Sequence, residues 1–148
     1  MSDEIRQAME IVAVRILEDA AFLFANPMEG PHPAETSWDP VGARLSWTGP
    51  STGTMQVWAA RPLLKILAAN MLGIEDTDPV AEKSGCDALC EVLNMVVGNS
   101  LTEAWGPGPV FHLAIPEILD VSRLSDDAEE GFWISADDHP ILFRNISP

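Results

Sequence analysis

A chain of 148 residues is the size of one domain with its own hydrophobic core, on the usual scale of about 100–200 residues per domain. Apolar residues make up 47% of it, and the formal net charge is −15 with an isoelectric point near 4.2. Such a surface repels phosphate backbones and anionic bilayers, so neither nucleic acid nor a membrane is expected as a partner.

The N-terminus, Met1-Ser-Asp-Glu-Ile-Arg6, has neither a basic n-region nor an apolar h-region. No later run approaches the ~20 apolar residues that span a bilayer. The expectation is a soluble, cytoplasmic, single domain over 1–148. Ser2 or Asp3 is placed to cap a first helix predicted to reach about Phe24. Ile5, Met9, Val12, Ile16 and Leu23 turn inward, and Arg6, Glu10 and Arg15 outward. From Asn26 to Val41 the chain is rich in Pro, Gly and small polar residues, which breaks any helix and leaves a loop with room for a short edge strand.

Leu45–Thr48 and Met55–Ala59 alternate around Gly49-Pro-Ser-Thr-Gly53, the pattern of a hairpin with a five-residue connection. That connection also reads as G-x-S-x-G, but a nucleophile elbow needs a helix after it, whereas Met55-Gln-Val-Trp-Ala59 reads as a returning strand. Arg61-Pro62 opens a second helix with Leu63, Leu64, Ile66, Leu67 and Met71 on its apolar face, stopped by Gly73. Asp78 as N-cap and Pro79 at the first helical position then start a long helix predicted to reach Ala104, with room for a break near Gly98.

Trp105-Gly-Pro-Gly-Pro109 ends that helix, and Val110–Ile115 is predicted as a strand stopping at Pro116. Ile118–Val121 begins or continues a strand. The acidic run within 122–131, with Asp126, Asp127, Glu129 and Glu130, reads as a solvated loop, because it lacks the spacing of a calcium loop. Phe132–Ala136 and Ile141–Ile146 form a last hairpin around Asp137-Asp-His-Pro140. Long helices with mainly antiparallel hairpins define an α+β domain.

Cys86 and Cys90 lie one helical turn apart, a poor geometry for a disulfide, and are expected as buried free thiols. Together with His112 and His139 they do not make a recognised zinc-ligand spacing. No metal site is expected.

The stretch from Asp87 to Thr102 is two-sided. At ~100° per residue, Asp87, Glu91, Asn94, Gly98 and Thr102 fall within a band of roughly 80°. Leu89, Val92, Leu93 and Val96 stand opposite as an apolar face. A solvated helix face usually carries Lys, Arg, Glu and Gln, and such a wet face is the bland reading of any polar stripe. This one has no long cation. At its centre a carboxylate and a carboxamide are neighbours at i and i+3. One turn later comes a glycine that costs about 1 kcal/mol relative to alanine, suited to a close-approaching partner or to close helix packing.

The run Asp87-x-x-x-Glu91-x-x-Asn94, continued by Met95-Val-Val-Gly98-Asn99 and by Pro116 about twenty residues later, resembles the signature of the CheC, CheX and FliY phosphatases. Those proteins remove the phosphoryl group from the aspartate of phospho-CheY in bacterial and archaeal chemotaxis. The extended form Glu-x-x-Asn-Met-x-x-Gly-Asn is most similar to the CheX branch.

The resemblance implies a CheC-like fold, with long helices on a mainly antiparallel sheet and an internal pseudo-two-fold duplication. The first helix has no Glu-x-x-Asn, so only the second copy would keep the site. The resemblance also implies that Asn94 orients the attacking water inside the receiver's active site while Glu91 pairs with the receiver's lysine. Gly98 would give the receiver backbone room, and Asp87, Asn99 and Thr102 would extend the contact. No cofactor of the chain's own is implied, Mg²⁺ being expected in the partner receiver, and a homodimer is expected by analogy with CheX. The alternative is a non-catalytic receiver-binding module, or one like the middle domains of flagellar switch proteins.

Overall fold

A computed structural model describes residues 3–30, 38–124 and 131–146, with side chains from Arg6 onward. Ser2 as a cap, the inward assignment of Ile5 and the acidic positions Asp126, Asp127, Glu129 and Glu130 lie outside the described residues. In chain order the elements are α1 (Asp3–Asp19), β1 (Ala25–Met28), β2 (Pro40–Thr48), β3 (Gly53–Ala60), α2 (Arg61–Leu72) and α3 (Pro79–Lys83). There follow α4 (Gly85–Trp105), β4 (His112–Leu113), β5 (Glu117–Leu119), a 3₁₀ turn (Val121–Arg123), β6 (Gly131–Ala136) and β7 (His139–Ile146).

The seven strands form one sheet in the order β1-β6-β7-β3-β2-β4, with β5 also paired to β2. Every pairing is antiparallel. This is the expected α+β architecture, and the order contains a two-fold pattern. The hairpins β2–β3 and β6–β7 meet where β3 pairs with β7. The edge strand preceding each hairpin then crosses to the other one, β1 to β6 and β5 to β2. The helix before each edge strand, α1 or α4, lies on the same face of the sheet.

Strand alternation sends successive side chains to opposite faces. Met55, Val57 and Ala59 of β3, with Phe132, Ile134, Ile141 and Phe143, join the core beneath the helices. Trp58, Leu142 and Trp133 point to the other face, where Trp38 closes over them in a smaller cluster, its ring 5.2 Å from that of Trp133. The connection between β2 and β3 is a turn followed by a returning strand, not by a helix. Ser51 there accepts a hydrogen bond from Trp47 Nε1 at 3.3 Å, which disposes of the nucleophile-elbow pattern.

β2 starts at Pro40, before the expected Leu45 and inside the stretch read as a loop, and three further element boundaries differ from the sequence reading. α1 stops at Asp19 rather than near Phe24, because Ala20–Phe24 must turn the chain into the sheet. Phe22 adopts a left-handed φ of 55°, and Phe24 exchanges hydrogen bonds with Asp137 at the β6–β7 turn, both 2.9 Å. The strand expected over Val110–Ile115 narrows to His112–Leu113, which pairs only with Trp47 and Thr48 at one end of β2. Pro116 then separates it from β5, which pairs further along the same strand.

The third difference bears on the site. Asp78 caps as expected, accepting from Val80 N at 2.9 Å, but α3 lasts only to Lys83 and the helix restarts at Gly85. The break is therefore at Ser84–Gly85, and α4 runs unbroken through Gly98. A Cβ on Gly85 would sit 2.8 Å from Leu64 Cβ, too close for any side chain. The chain bends where α2 comes nearest. Gly85→Val should accordingly cost about 1–3 kcal/mol of stability through overpacking, measured as a lower urea midpoint with unchanged slope.

Candidate functional site

α4 is the central helix, flanked by α1 and α2 and seated over β2 and β3. Leu89, Val92, Leu93, Val96, Val97 and Leu101 are buried against them. Truncating such a side chain to alanine typically costs about 2–5 kcal/mol, so the rotation of the helix about its axis is firmly set. The opposite side faces solvent. Along it Asp87, Glu91, Asn99 and Thr102 are exposed, and Asn94 and Gly98 are half-buried.

The structure divides these residues by what their side chains already hold. Asn99 Nδ2 donates back to Met95 O at 2.7 Å, and Thr102 Oγ1 donates to Gly98 O at 3.1 Å. The Thr102 hydroxyl proton and one of the two Asn99 amide protons are thus occupied within the helix. Among the described residues, the side chains of Glu91 and Asn94 make no hydrogen bond or ion pair. A carboxylate, which only accepts, and an amide, which both donates and accepts, thus stand side by side on a rigid helix with their polar atoms free. Among the described residues, nothing beyond the helix's own backbone lies within 4 Å of a Cβ placed on Gly98. Close packing inside the chain does not explain that glycine, and it leaves a flat spot one turn beyond Asn94.

The polar stripe has an apolar border that the sequence reading did not mark as part of the site. Between α2 and α4 runs a cleft of about 360 Å³, lined by Ala68, Met71 and Leu72 on one side and Ser84, Asp87, Ala88 and Glu91 on the other. Leu72 is 54% exposed. The signal lay in α2, where Leu72 adds an apolar residue outside the stripe that faces the core.

Cys86 and Cys90 are free and half-buried. Burial, followed by the neighbouring Cys86 and the Asp87 carboxylate, pushes the Cys90 thiol above its ordinary value. Among the described residues no three His, Cys, Asp or Glu side chains gather as a metal site. No described helix is long and apolar enough to cross a membrane.

Helices on one face of a seven-stranded antiparallel sheet, with a free Glu-x-x-Asn pair on the central helix, define the CheC-like class. The sequence matches the family described as chemotaxis phosphatase CheX over residues 41–136, more than half of its length, and the chain belongs to that family. Solved structures agree on the fold. A chemotaxis protein CheX from Desulfovibrio desulfuricans superposes with a TM-score of 0.71 at 17% identity, covering 97% of this chain and 98% of that one. CheX from Vibrio vulnificus gives 0.73 at 18% identity, covering 96% and 95%. The CheX–CheY–BeF₃–Mg²⁺ complex from Borrelia burgdorferi gives 0.62 at 17% identity, covering 94% of each chain. Comparison with curated proteins returns no match.

Because the thiolate is the reactive form, Cys90 should be alkylated by iodoacetamide at pH 8 more slowly than an unperturbed cysteine. Asp87→Asn should quicken the reaction slightly. Peptide mass spectrometry resolves Cys90 from Cys86.

Proposed function

We propose that the chain dephosphorylates a CheY-type receiver domain, with Asn94 and Glu91 of α4 inserted into the receiver's active site. The observation that carries this reading is the free pair itself, an amide and a carboxylate without partners on a helix whose rotation is held by the core. Membership of a chemotaxis phosphatase family supports the reaction class, and the solved CheX–CheY complex supports the kind of partner.

Phospho-aspartate is an acyl phosphate. Water attacks phosphorus in line, the bond from phosphorus to the carboxylate oxygen breaks, and the products are inorganic phosphate and a free aspartate. Charge on the phosphoryl oxygens is neutralised by the receiver's own Mg²⁺ and lysine, so the missing contribution is a positioned nucleophile. The Asn94 carbonyl oxygen accepts from the water while its NH₂ group holds a phosphoryl oxygen. This fixes the line of attack without a titrating group. Glu91 pairs with the receiver's lysine and sets the docking register. Gly98 lets the receiver backbone approach within van der Waals distance.

Phosphate release from a phosphorylated receiver, measured with and without the protein, tests the chemistry. Asn94→Ala should lower the acceleration by about 10²-fold, the scale of a lost positioning group, with receiver binding kept. Glu91→Ala should weaken binding at least about tenfold, as loss of one partner of an interfacial charge pair does. No acceleration with any of the organism's own receivers, despite tight binding, would instead identify a non-catalytic binding module.

Gly98→Ala offers a sharper contrast, because a methyl group there meets nothing in the free protein. It should raise stability by about 1 kcal/mol in urea titration and yet slow receiver dephosphorylation. Unchanged turnover would remove Gly98 from the docking surface.

A further inference from the structure

The cleft between α2 and α4 is open along the same side of the molecule as Glu91, which belongs to both the cleft wall and the polar stripe. Its two walls differ in kind. Ala68, Met71 and Leu72 of α2 present only apolar atoms from their side chains. The α4 wall presents Asp87 and Glu91, two carboxylates at i and i+4 that repel one another. Neither forms an ion pair with any described Lys or Arg.

An apolar wall facing a carboxylate wall suits a side chain with an aliphatic stem and a cationic end, which lays its methylenes on apolar surface and keeps its charge at the rim. An acidic side chain would be repelled. A purely apolar one would strip water from the carboxylates without replacing it. At about 360 Å³ the cleft lies at the low end of ligand-sized cavities, which suits one long side chain.

We propose that the α2–α4 cleft receives a lysine or arginine from the surface of the receiver, with its stem against Met71 and Leu72 and its charge on Asp87. This rests on the reading that a CheY-type receiver docks on α4. It adds a second cation on that receiver, apart from the active-site lysine assigned to Glu91. The cleft would then choose among receivers, because active-site lysines are common to them whereas a surface cation at one position is not.

The test uses the full chain and the organism's own receiver loaded with beryllofluoride and Mg²⁺, so that binding is read without turnover. Asp87→Lys should raise Kd at least about tenfold, and Leu72→Ser by about threefold through lost stem contact. Both positions are exposed, and unchanged urea midpoints will show that the fold is kept. Reversing the receiver's surface Lys and Arg residues to Glu one at a time should find a position that restores binding to the Asp87→Lys variant. Kd values within twofold of wild type for both variants, or failure of every reversal to restore binding, would overturn the cleft assignment. Asn94→Ala is assayed in parallel for phosphate release. Loss of turnover there with normal Asp87→Lys binding sinks only the cleft, whereas full turnover in Asn94→Ala with weakened Asp87→Lys binding sinks only the inserted-amide mechanism.

Discussion

The burial of one side of α4 against the sheet and its two neighbouring helices is the constraint on which the rest depends. Leu89, Leu93 and Val96 are essentially without solvent contact, and each has a fixed neighbour, so the helix has no freedom to roll. Since one residue along a helix corresponds to ~100° of rotation, a slip by one position would turn Asn94 from the surface toward the core. The apolar face thus determines the direction of the polar one. The helix itself holds these side chains in place, which is the kind of rigid support that precise positioning calls for.

On that support the polar residues differ in readiness. Asn99 and Thr102 each donate to a carbonyl of their own helix, which keeps their side chains close to the helix surface. The Asn94 amide and the Glu91 carboxylate make no such bond among the described residues. Water satisfies them in the free protein at little cost, because both are at least partly exposed. The energetic strain of the site is therefore modest. It consists of a helix-interior glycine, worth about 1 kcal/mol, and two carboxylates repelling across one turn by a few tenths of a kcal/mol. Against a typical domain stability of about 5–15 kcal/mol, both are tolerable.

Much of this could be read from the residues. The period of Leu89, Val92, Leu93 and Val96 predicted the buried face of α4, Gly73 marked the end of α2, and Asp78-Pro79 marked a helix start. What could not be read depended on contacts between distant parts of the chain. Gly85 and Gly98 look alike in a helical pattern, and only the approach of Leu64 shows that the first makes room for α2, whereas the second makes room for nothing among the described residues. The early end of α1 depends on Asp137, more than a hundred residues away, holding Phe24. The apolar wall beside the stripe was missed for a related reason, since a helix reading assigns leucines to the core and does not show which ones the core leaves over.

The exchange of edge strands has a consequence for how the chain comes into being. Among the described residues β1 finds its partner only in β6, Ala25 lying opposite Ala136, and β2 finds β5 only after α4 has been crossed. Neither half can complete its own sheet, so a nascent chain leaving the ribosome carries an unmatched strand edge until β6 has been made. Contacts between such distant segments slow folding, and exposed strand edges invite pairing with other chains in the interval. The same interleaving means that two separately expressed halves, each short of a strand that the other supplies, would have a shared reason to find one another.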